Sequence, residues 1–355
     1  MRALVFAWAA AACAAASRVQ RQKPARLLID TDMSTDVDDV LAIAIAHQLE
    51  ETHEAEVLGV VHNTGLDGGV GAVSVINRHY GRDDVPLGAY KGRFNDPTVD
   101  PDPWVRKNAA GPYVAELLRK FPSPVRNRSQ VPDALTTYRR LLAAQAQRSV
   151  TIVSIGFFGN LAELLASGPD EHSPLSGRAL VEHAVQELVV MGGRFPDSGL
   201  GKYEWNFGGG CEYDSPRCPW TPQWTKEVVD TWPAAVPMTF SGAEVGERVL
   251  LGGRIEACLP ETSPVRAAIL LYRPPPLKSW DPVTLLYAVR GLGAHLLRSE
   301  RGSASIDGTD GSNRWVPVAD GHQSYLQLRS QDAADALARE IEDLVCSHAS
   351  AALQA

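Results

Sequence analysis

The chain has 355 residues, a formal net charge of -8 at pH 7 and a sequence pI near 5.6, and 45% of its residues are hydrophobic. This length supports a sizeable buried core, as in a soluble α/β enzyme. No block of lysine and arginine residues is present that would follow a phosphate backbone, which argues against a nucleic-acid polymer as a partner.

The first segment of the chain predicts a secretory signal peptide. Met1 and Arg2 precede an apolar, alanine-rich stretch from Ala3 to Ala16 that ends in small residues suited to cleavage. A transmembrane anchor is the alternative, but the apolar run is short for a bilayer span. We therefore expect a secreted protein without a membrane partner, in which residues 1–16 are removed and residues 17–355 form a single domain.

Apolar runs of the strand type alternate with amphipathic helical segments along most of the chain. Strands are predicted at Leu27–Asp30, Val57–Val61, Val150–Ile155, Leu188–Met191 and Val236–Phe240. Helices are predicted at Val40–Leu49, Val70–Tyr80, Asp133–Gln147, Leu161–Ser167 and Trp224–Thr231. The alternation predicts an α/β fold, with an open, mostly parallel sheet that is flanked by helices in a Rossmann-like arrangement.

After Phe240 the pattern becomes mainly helical. It contains predicted helices at Ala267–Tyr272, Val283–Arg290 and Gln331–Cys346, and a short β-like pair at Trp315–Val318 and Ser324–Leu328. We expect this helical C-terminal part to pack on the same sheet.

The cysteines fit an oxidising compartment. Cys13 would leave with the signal peptide, and the even number that remains suits disulfide formation. Cys211 and Cys218 are close enough for a local staple, which would leave Cys258 to pair with Cys346, although four cysteines permit three pairings. A zinc site is the rival interpretation, but no tight Cys-x-x-Cys pair with an adjoining histidine supports it.

Between the first predicted strand and the first predicted helix, five carboxylates fall within ten residues: Asp30, Asp32, Asp36, Asp38 and Asp39. Packed together, they raise the pKa of one another unless a cation neutralises them, and an all-oxygen set of ligands favours Ca²⁺ or Mg²⁺. Ligand sites in open α/β sheets lie beyond the carboxyl ends of the strands, where this segment falls. The sequence therefore predicts a divalent-metal site here.

Two other interpretations of the acidic segment are weaker. An EF-hand starting at Asp30 needs glycine and glutamate where the chain has Thr35 and Leu41. A phosphatase of the haloacid dehalogenase type begins with a strand and an Asp-x-Asp motif, which Asp30-Thr31-Asp32 approximates. Its downstream lysine and later acidic pair cannot be placed in this sequence, so the phosphatase remains an alternative only.

Taken together, the motifs resemble those of the nucleoside hydrolases, also called inosine-uridine preferring nucleoside hydrolases. The Asp30-Thr31-Asp32 start followed by Asp38-Asp39 resembles the aspartate fingerprint of that family. Further segments match in the family's order, namely Val60-Val61-His62-Asn63, Asn77–Gly81, Val85–Gly88, Ile155–Ala162, Val190–Gly193, Glu204–Phe207 and Trp280-Asp281-Pro282. These blocks cover most of the chain that follows the predicted signal peptide.

The resemblance implies Ca²⁺-dependent hydrolysis of the N-glycosidic bond of a small-molecule nucleoside, giving ribose and free base, by a homo-oligomer. It implies that Asp32, Asp39, Asp281 and the backbone carbonyl of Ile155 bind the Ca²⁺, and that Asp32 is also the base that takes a proton from water. The implied substrate-binding residues are Asp38 at the 2′ hydroxyl, Asn206 and Asn63 at the diol, Glu204 at the 5′ hydroxyl, and Trp280.

Two departures from the family pattern affect these roles. The spacing from Asp32 to Asp38 is longer than in the commonest form, so Asp36 is an alternative ligand. Trp280 stands where purine-cleaving members carry a histidine that protonates the leaving base, and an indole cannot serve that purpose. Another group then serves, or the base leaves by stacking on aromatics such as Trp205 and Trp280, or the substrate has a better leaving group. The base preference is therefore not predicted, and a secreted calcium-dependent riboside-binding or sugar-binding protein without turnover remains an alternative.

Overall fold

The structure is a computed structural model that describes residues 23–34, 36–92, 112–199, 204–208 and 220–352. The predicted signal peptide at residues 1–16 and the predicted Cys211–Cys218 staple lie outside these ranges. Within them, none of the helices combines the length and the apolar character needed to cross a lipid bilayer.

Strands and helices alternate as predicted. The strands are β1 (Ala25–Thr31), β2 (Ala55–His62), β3 (Leu87–Ala89), β4 (Val150–Ile155), β5 (Val185–Met191), β6 (Met238–Ser241), β7 (Leu250–Leu251), β8 (Leu277–Lys278), β9 (Leu296–Arg298), β10 (Gly302–Ile306), β11 (Asn313–Pro317) and β12 (Gln323–Leu328). The helices are α1 (Asp38–Glu51), α2 (Gly69–His79), α3 (Pro112–Lys120), α4 (Ala134–Ala143), α5 (Gly159–Ala166), α6 (Gly177–Ala184), α7 (Trp205–Gly208), α8 (Trp220–Thr231), α9 (Ala243–Gly246), α10 (Arg254–Cys258), α11 (Pro264–Tyr272), α12 (Trp280–Arg290) and α13 (Gln331–Ala352).

The main sheet has the order β11-β10-β12-β6-β5-β4-β1-β2-β3, and β9 pairs with β12 beside this path. The strands from β12 to β3 in this order run parallel, whereas β9, β10 and β11 pair antiparallel. This confirms the predicted open, mostly parallel sheet. The strand order reverses between β1 and β4, which creates a crevice outside the carboxyl ends of these two strands.

The core consists of one apolar layer on each face of the sheet. In β1, Leu27 and Ile29 pack into one layer and Leu28 packs into the other, because successive side chains of a strand point to opposite faces. Helix α1 is buried from Asp38 to Gln48 on all sides, since it lies between the sheet and helices α12 and α13. This helix therefore holds the acidic segment rigidly against the core.

The C-terminal part combines helices with strands that extend the sheet. Both predicted β-like segments form strands, β11 and β12, and the predicted final helix is α13. Strand β10 lies between β11 and β12, and neither β9 nor β10 was predicted. Both are short, and their polar and apolar residues do not form a long alternating run, so the sequence pattern gave no signal for them.

A disulfide bond joins Cys258 at the end of α10 to Cys346 in α13. This confirms the pairing that the sequence left as one of three. The bond closes a loop with a sequence separation of 88 residues, which restricts the unfolded chain.

We expect the Cys258→Ser/Cys346→Ser variant to lose about 3–5 kcal/mol of unfolding free energy, because the loop closed by this disulfide is long. Urea denaturation of the oxidised wild type and the variant measures the difference. Reductant should lower the stability of the wild type and leave that of the variant unchanged; equal sensitivity of both proteins would contradict the assignment of the stabilisation to this bond.

Candidate metal centre and adjoining pocket

The acidic segment lies where the switch point of the sheet predicts a ligand site. The last residue of β1, Thr31, pairs with Ile155 at the end of β4 and with His62 at the end of β2. The chain then runs through the aspartates into α1, whose first two residues are Asp38 and Asp39. The N-terminus of α1 therefore lies beside the carboxyl ends of three neighbouring strands, β1, β2 and β4.

Asp281, which is distant from the other aspartates in the sequence, lies at the same site. It is the second residue of α12, and its backbone N–H donates a hydrogen bond of 3.1 Å to a carboxylate oxygen of Asp38. The N-termini of α1 and α12 thus converge. Because helix N-termini favour negative charge, this convergence partly stabilises the carboxylates of Asp38, Asp39 and Asp281.

Three carboxylates are close enough to share one ion. Oxygen atoms of Asp36, Asp38 and Asp39 all lie within 4.8 Å of one another. Asp32 and Asp281 line the same pocket as Asp36 and Asp38. The structure therefore places Asp36, the alternative ligand, and Asp38, the predicted substrate-binding residue, in one group with Asp39. The predicted ligands Asp32 and Asp281 line the adjoining pocket and are not part of that group.

The pocket at this site has a volume of about 200 Å³. Its acidic floor, defined as Asp32, Asp36, Asp38 and Asp281, adjoins Ile155 at the end of β4. The other residues that line the pocket are Met191, Arg194, Glu204, Trp205, Asn206, Ala243, Glu247 and Trp280. The pocket therefore combines carboxylates with amide and aromatic groups, a mixture that suits a polyhydroxylated ligand with a ring attached.

The electrostatics of the site favour a bound cation. Burial, followed by the charges of neighbouring carboxylates, raises the pKa of Asp38, Asp39 and Asp281 well above the usual range. One oxygen of Asp39 accepts a hydrogen bond from the Thr31 hydroxyl, while its second oxygen is buried without a hydrogen-bond partner. An unpartnered carboxylate oxygen among other carboxylates fits a hard divalent cation with oxygen ligands.

Asp30 lies behind the site in a buried polar network. Its carboxylate accepts hydrogen bonds from Asn63 at 2.8 Å, Tyr138 at 2.7 Å and Asn160 at 3.1 Å. Burial nevertheless raises the pKa of Asp30 to about 7. Asn63 therefore faces Asp30 with its amide N–H, and it is not among the residues that line the pocket.

Glu204 and Asn206 shape the wall of the pocket next to β5. The Glu204 carboxylate accepts hydrogen bonds from the backbone N–H groups of Gly193 and Asn206, both at 3.0 Å, and burial raises its pKa to about 7. The Asn206 side chain donates to the backbone oxygen of Met191 at 3.1 Å. These bonds fix the short helix α7 against the glycine-containing turn that follows β5.

Trp280 lines the pocket with its indole, whose N–H donates to the backbone oxygen of Ala243 at 3.1 Å. The donor is therefore occupied within the protein.

Sequence reasoning did not identify Arg194 and Glu247, which also line the pocket. No motif marks them, because the two residues are far apart in the chain and meet only in the folded structure.

The fold and the site define an α/β protein with a carboxylate-lined pocket at the switch point of its sheet. Residues 27–209 match the profile of the inosine-uridine preferring nucleoside hydrolases, and the chain belongs to this family of N-glycosidases. No curated protein matches the sequence.

Several solved structures share the fold at low sequence identity. A purine-preferring ribonucleoside hydrolase from Gardnerella vaginalis has a TM-score of 0.62 and 16% identity, covering 90% of this chain and 99% of its own. The inosine-uridine preferring nucleoside hydrolase from Bacillus anthracis has a TM-score of 0.58 and 16% identity, with coverage of 90% and 99%. The type III effector protein XopQ, solved in complex with adenosine diphosphate ribose, has a TM-score of 0.62 and 15% identity, with coverage of 92% and 94%.

We expect the melting temperature of the metal-free protein to fall as the pH rises from about 4 to about 7. The folded-state pKa of Asp30 is about 7 against an ordinary value of 3.8, so in this range the folded state holds a proton that the unfolded state has released.

A divalent cation should raise the melting temperature at neutral pH, and Asp39→Asn should reduce that response. The exposed Asp83, which pairs with Arg78, supplies the control Asp83→Asn; an equal loss of response in both variants would contradict the metal site.

We expect Asp30→Asn and Asn63→Asp each to lower the unfolding free energy by roughly 1–3 kcal/mol, since each removes a buried donor–acceptor match. The double variant Asp30→Asn/Asn63→Asp exchanges donor and acceptor and should recover part of the loss. Urea denaturation of the four proteins gives the coupling energy. A double variant whose loss equals the sum of the single losses would show that the Asp30–Asn63 bond contributes nothing.

Proposed function

We propose that this protein hydrolyses the N-glycosidic bond of ribonucleosides with the help of a bound Ca²⁺, releasing ribose and the free base. The observation that carries the proposal is the meeting of Asp281 with the N-terminal aspartates at one pocket, joined by the hydrogen bond from the Asp281 N–H to Asp38. A catalytic pocket that needs both ends of the chain forms only in the folded state.

Asp32, Asp39, Asp281 and the backbone oxygen of Ile155 would hold the Ca²⁺, and the proximity of Asp36 to Asp38 and Asp39 supports Asp36 as a further ligand. When bound, the ion supplies a fixed positive charge that orients the ribose diol and makes water easier to deprotonate. Ca²⁺ accepts more ligands and a looser geometry than Mg²⁺. This suits a site with five carboxylates, those of Asp32, Asp36, Asp38, Asp39 and Asp281.

Asp32 lines the pocket, and we assign it the removal of a proton from the attacking water. The water oxygen forms a bond to C1′ while the bond from C1′ to the base nitrogen breaks. The electron pair of that bond leaves with the base, which takes up a proton from solvent, while Asp32 returns the proton it removed from water to solvent. The buried carboxylates stabilise the positive charge that develops on the ribose ring.

Residues around the acidic floor would bind the rest of the substrate. We assign Asp38 to the 2′ hydroxyl, Asn206 to the diol and Glu204 to the 5′ hydroxyl, and all three line the pocket. Asn63 gives its N–H to Asp30 and does not line the pocket, so we assign it to the network behind the acidic floor and not to the diol.

The base would leave against an aromatic surface. Trp280 and Trp205 both line the pocket, and the occupied indole N–H of Trp280 supports stacking as its role. Such a surface does not select one base by hydrogen bonding, so the proposal extends to purine and pyrimidine ribosides.

We further propose that the protein acts outside the cytoplasm, as a homo-oligomer of a single-domain chain. The Cys258–Cys346 disulfide supports an oxidising compartment.

A panel of purine and pyrimidine nucleosides, assayed for released reducing sugar with Ca²⁺ and with chelator, tests the proposal. We expect Ca²⁺-dependent turnover of at least one nucleoside and a loss of kcat of about 10²–10⁴-fold in Asp32→Ala, the range for a missing general base. The exposed Asp67 provides the control Asp67→Ala, which should retain activity.

Two outcomes would replace the proposal. Calcium-dependent binding of ribose without hydrolysis would identify a binding protein. Hydrolysis of p-nitrophenyl phosphate without turnover of any nucleoside would identify a phosphatase.

A further inference from the structure

Two cations, Arg194 in the lining of the pocket and Lys278 in an adjoining cavity, have no role in the proposed reaction. Arg194, which follows β5, makes two hydrogen bonds of 2.9 and 2.8 Å to the carboxylate of Glu247. The Lys278 ammonium lies 3.9 Å from the same carboxylate and 4.9 Å from the centre of the Trp280 ring. We call Arg194, Lys278 and Glu247 the cationic rim.

The cationic rim is more exposed than the acidic floor. The side chains of Arg194 and Lys278 are 40% and 39% exposed, whereas Asp38 and Asp281 are each 4% exposed. Arg194 lines the main pocket, and Lys278 lines a small cavity that shares Asp36, Asp38 and Trp280 with it. A ligand bound on the acidic floor would therefore extend past these two cations on its way to solvent.

The rim has hydrogen-bond donors that are not used within the protein. The charges of Glu244 and Glu204 act on Arg194 in addition to that of Glu247, so the rim offers free N–H donors rather than an excess of positive charge. The guanidinium has five N–H donors, and Glu247 uses two of them. Within the described ranges, Lys278 makes no side-chain hydrogen bond of 3.5 Å or less, so its three donors are available.

Arg194 is held in place by its backbone. Its N–H donates to the Asn313 side chain at 2.9 Å, and the Asn313 side-chain N–H donates back to the Arg194 backbone oxygen at 2.9 Å. The loop after β5 is therefore anchored to β11, and the bidentate bond to Glu247 fixes the guanidinium. A preorganised arginine loses little conformational entropy when it binds an anion.

The stereochemistry of a ribonucleoside directs one particular group toward this rim. In a β-riboside the 2′ and 3′ hydroxyls lie on one face of the sugar, and the base and the 5′ carbon lie on the other. If the diol binds at the acidic floor, as the proposed function requires, the 5′ substituent points away from the floor and toward Glu204, whose charge acts on the neighbouring Arg194. The Glu204 carboxylate accepts hydrogen bonds from the backbone N–H groups of Gly193, Asn206 and Phe207, and a phosphate on the 5′ oxygen would extend past it toward Arg194.

We propose that the cationic rim binds a phosphate group on the 5′ carbon of the substrate, so that the enzyme prefers ribosides that carry a 5′-phosphate. The proposal rests on the proposed function for the placement of the ribose. Arginine binds phosphate through parallel hydrogen bonds, and lysine adds a point charge. The substrate class is thus a nucleoside monophosphate, and the product is ribose 5-phosphate.

Matched pairs of substrates test this inference: inosine against inosine 5′-monophosphate, and uridine against uridine 5′-monophosphate. We expect a higher kcat/KM for the phosphorylated member of a pair in the wild type. We expect the ratio within the pair to fall about tenfold or more in Arg194→Gln and to fall in Lys278→Gln, since each removes a charge-assisted hydrogen bond. Arg194→Lys should retain part of the preference.

The control is Lys226→Gln, because Lys226 is an exposed lysine that pairs with Asp230 on α8. It should leave the ratio unchanged. Calorimetry with ribose 5-phosphate and ribose gives a second measurement that needs no turnover, and ribose 5-phosphate should bind more tightly in the wild type but not in Arg194→Gln. Melting temperatures identify any variant that does not fold.

The outcomes separate this inference from the proposed function. Hydrolysis of a nucleoside with no preference for its 5′-monophosphate, or a ratio that neither rim variant changes, overturns the inference and leaves the hydrolase intact. Binding of ribose 5-phosphate that depends on Arg194, without hydrolysis of any riboside, supports the rim and overturns the reaction.

Discussion

The close approach of buried carboxylates is the constraint on which this structure depends. Asp38, Asp39 and Asp281 are withdrawn from water and repel one another, so the folded chain must supply compensation. Part of it comes from the N-termini of α1 and α12, which present the positive ends of their dipoles at the same place. The oxygen of Asp39 that has no partner shows that this compensation is incomplete without a cation.

The network behind the acidic floor explains how such a site stays rigid. Asp30 accepts hydrogen bonds from Asn63, which directly follows β2, from Tyr138 in α4 and from Asn160 in α5. Three elements that are distant in sequence are thereby tied to the end of β1. Because every donor in the network is buried, a displaced partner would leave a polar group unsatisfied, and this penalty keeps the elements in register.

The two ends of the pocket perform different tasks on one scaffold. The acidic floor belongs to the switch point of the sheet, where the fold itself brings strand ends and helix N-termini together. The cationic rim is built from a loop after β5, the end of α9 and strand β8. Solved structures with 16% identity share the fold over nearly their whole length, and one fold can carry different sites.

The sequence alone determined the alternation of strands and helices, the acidic segment and the family, because these depend on periodicity and on motifs of neighbouring residues. It also placed Glu204, Asn206, Trp280 and Asp281, since the family's motifs are contiguous in the chain. Only the tertiary structure decided that Asp36 joins Asp38 and Asp39, that Asn63 turns toward Asp30, that Cys258 pairs with Cys346, and that Arg194 meets Glu247. Each of these contacts depends on side-chain direction or joins residues far apart in sequence, and a local pattern carries no information about either.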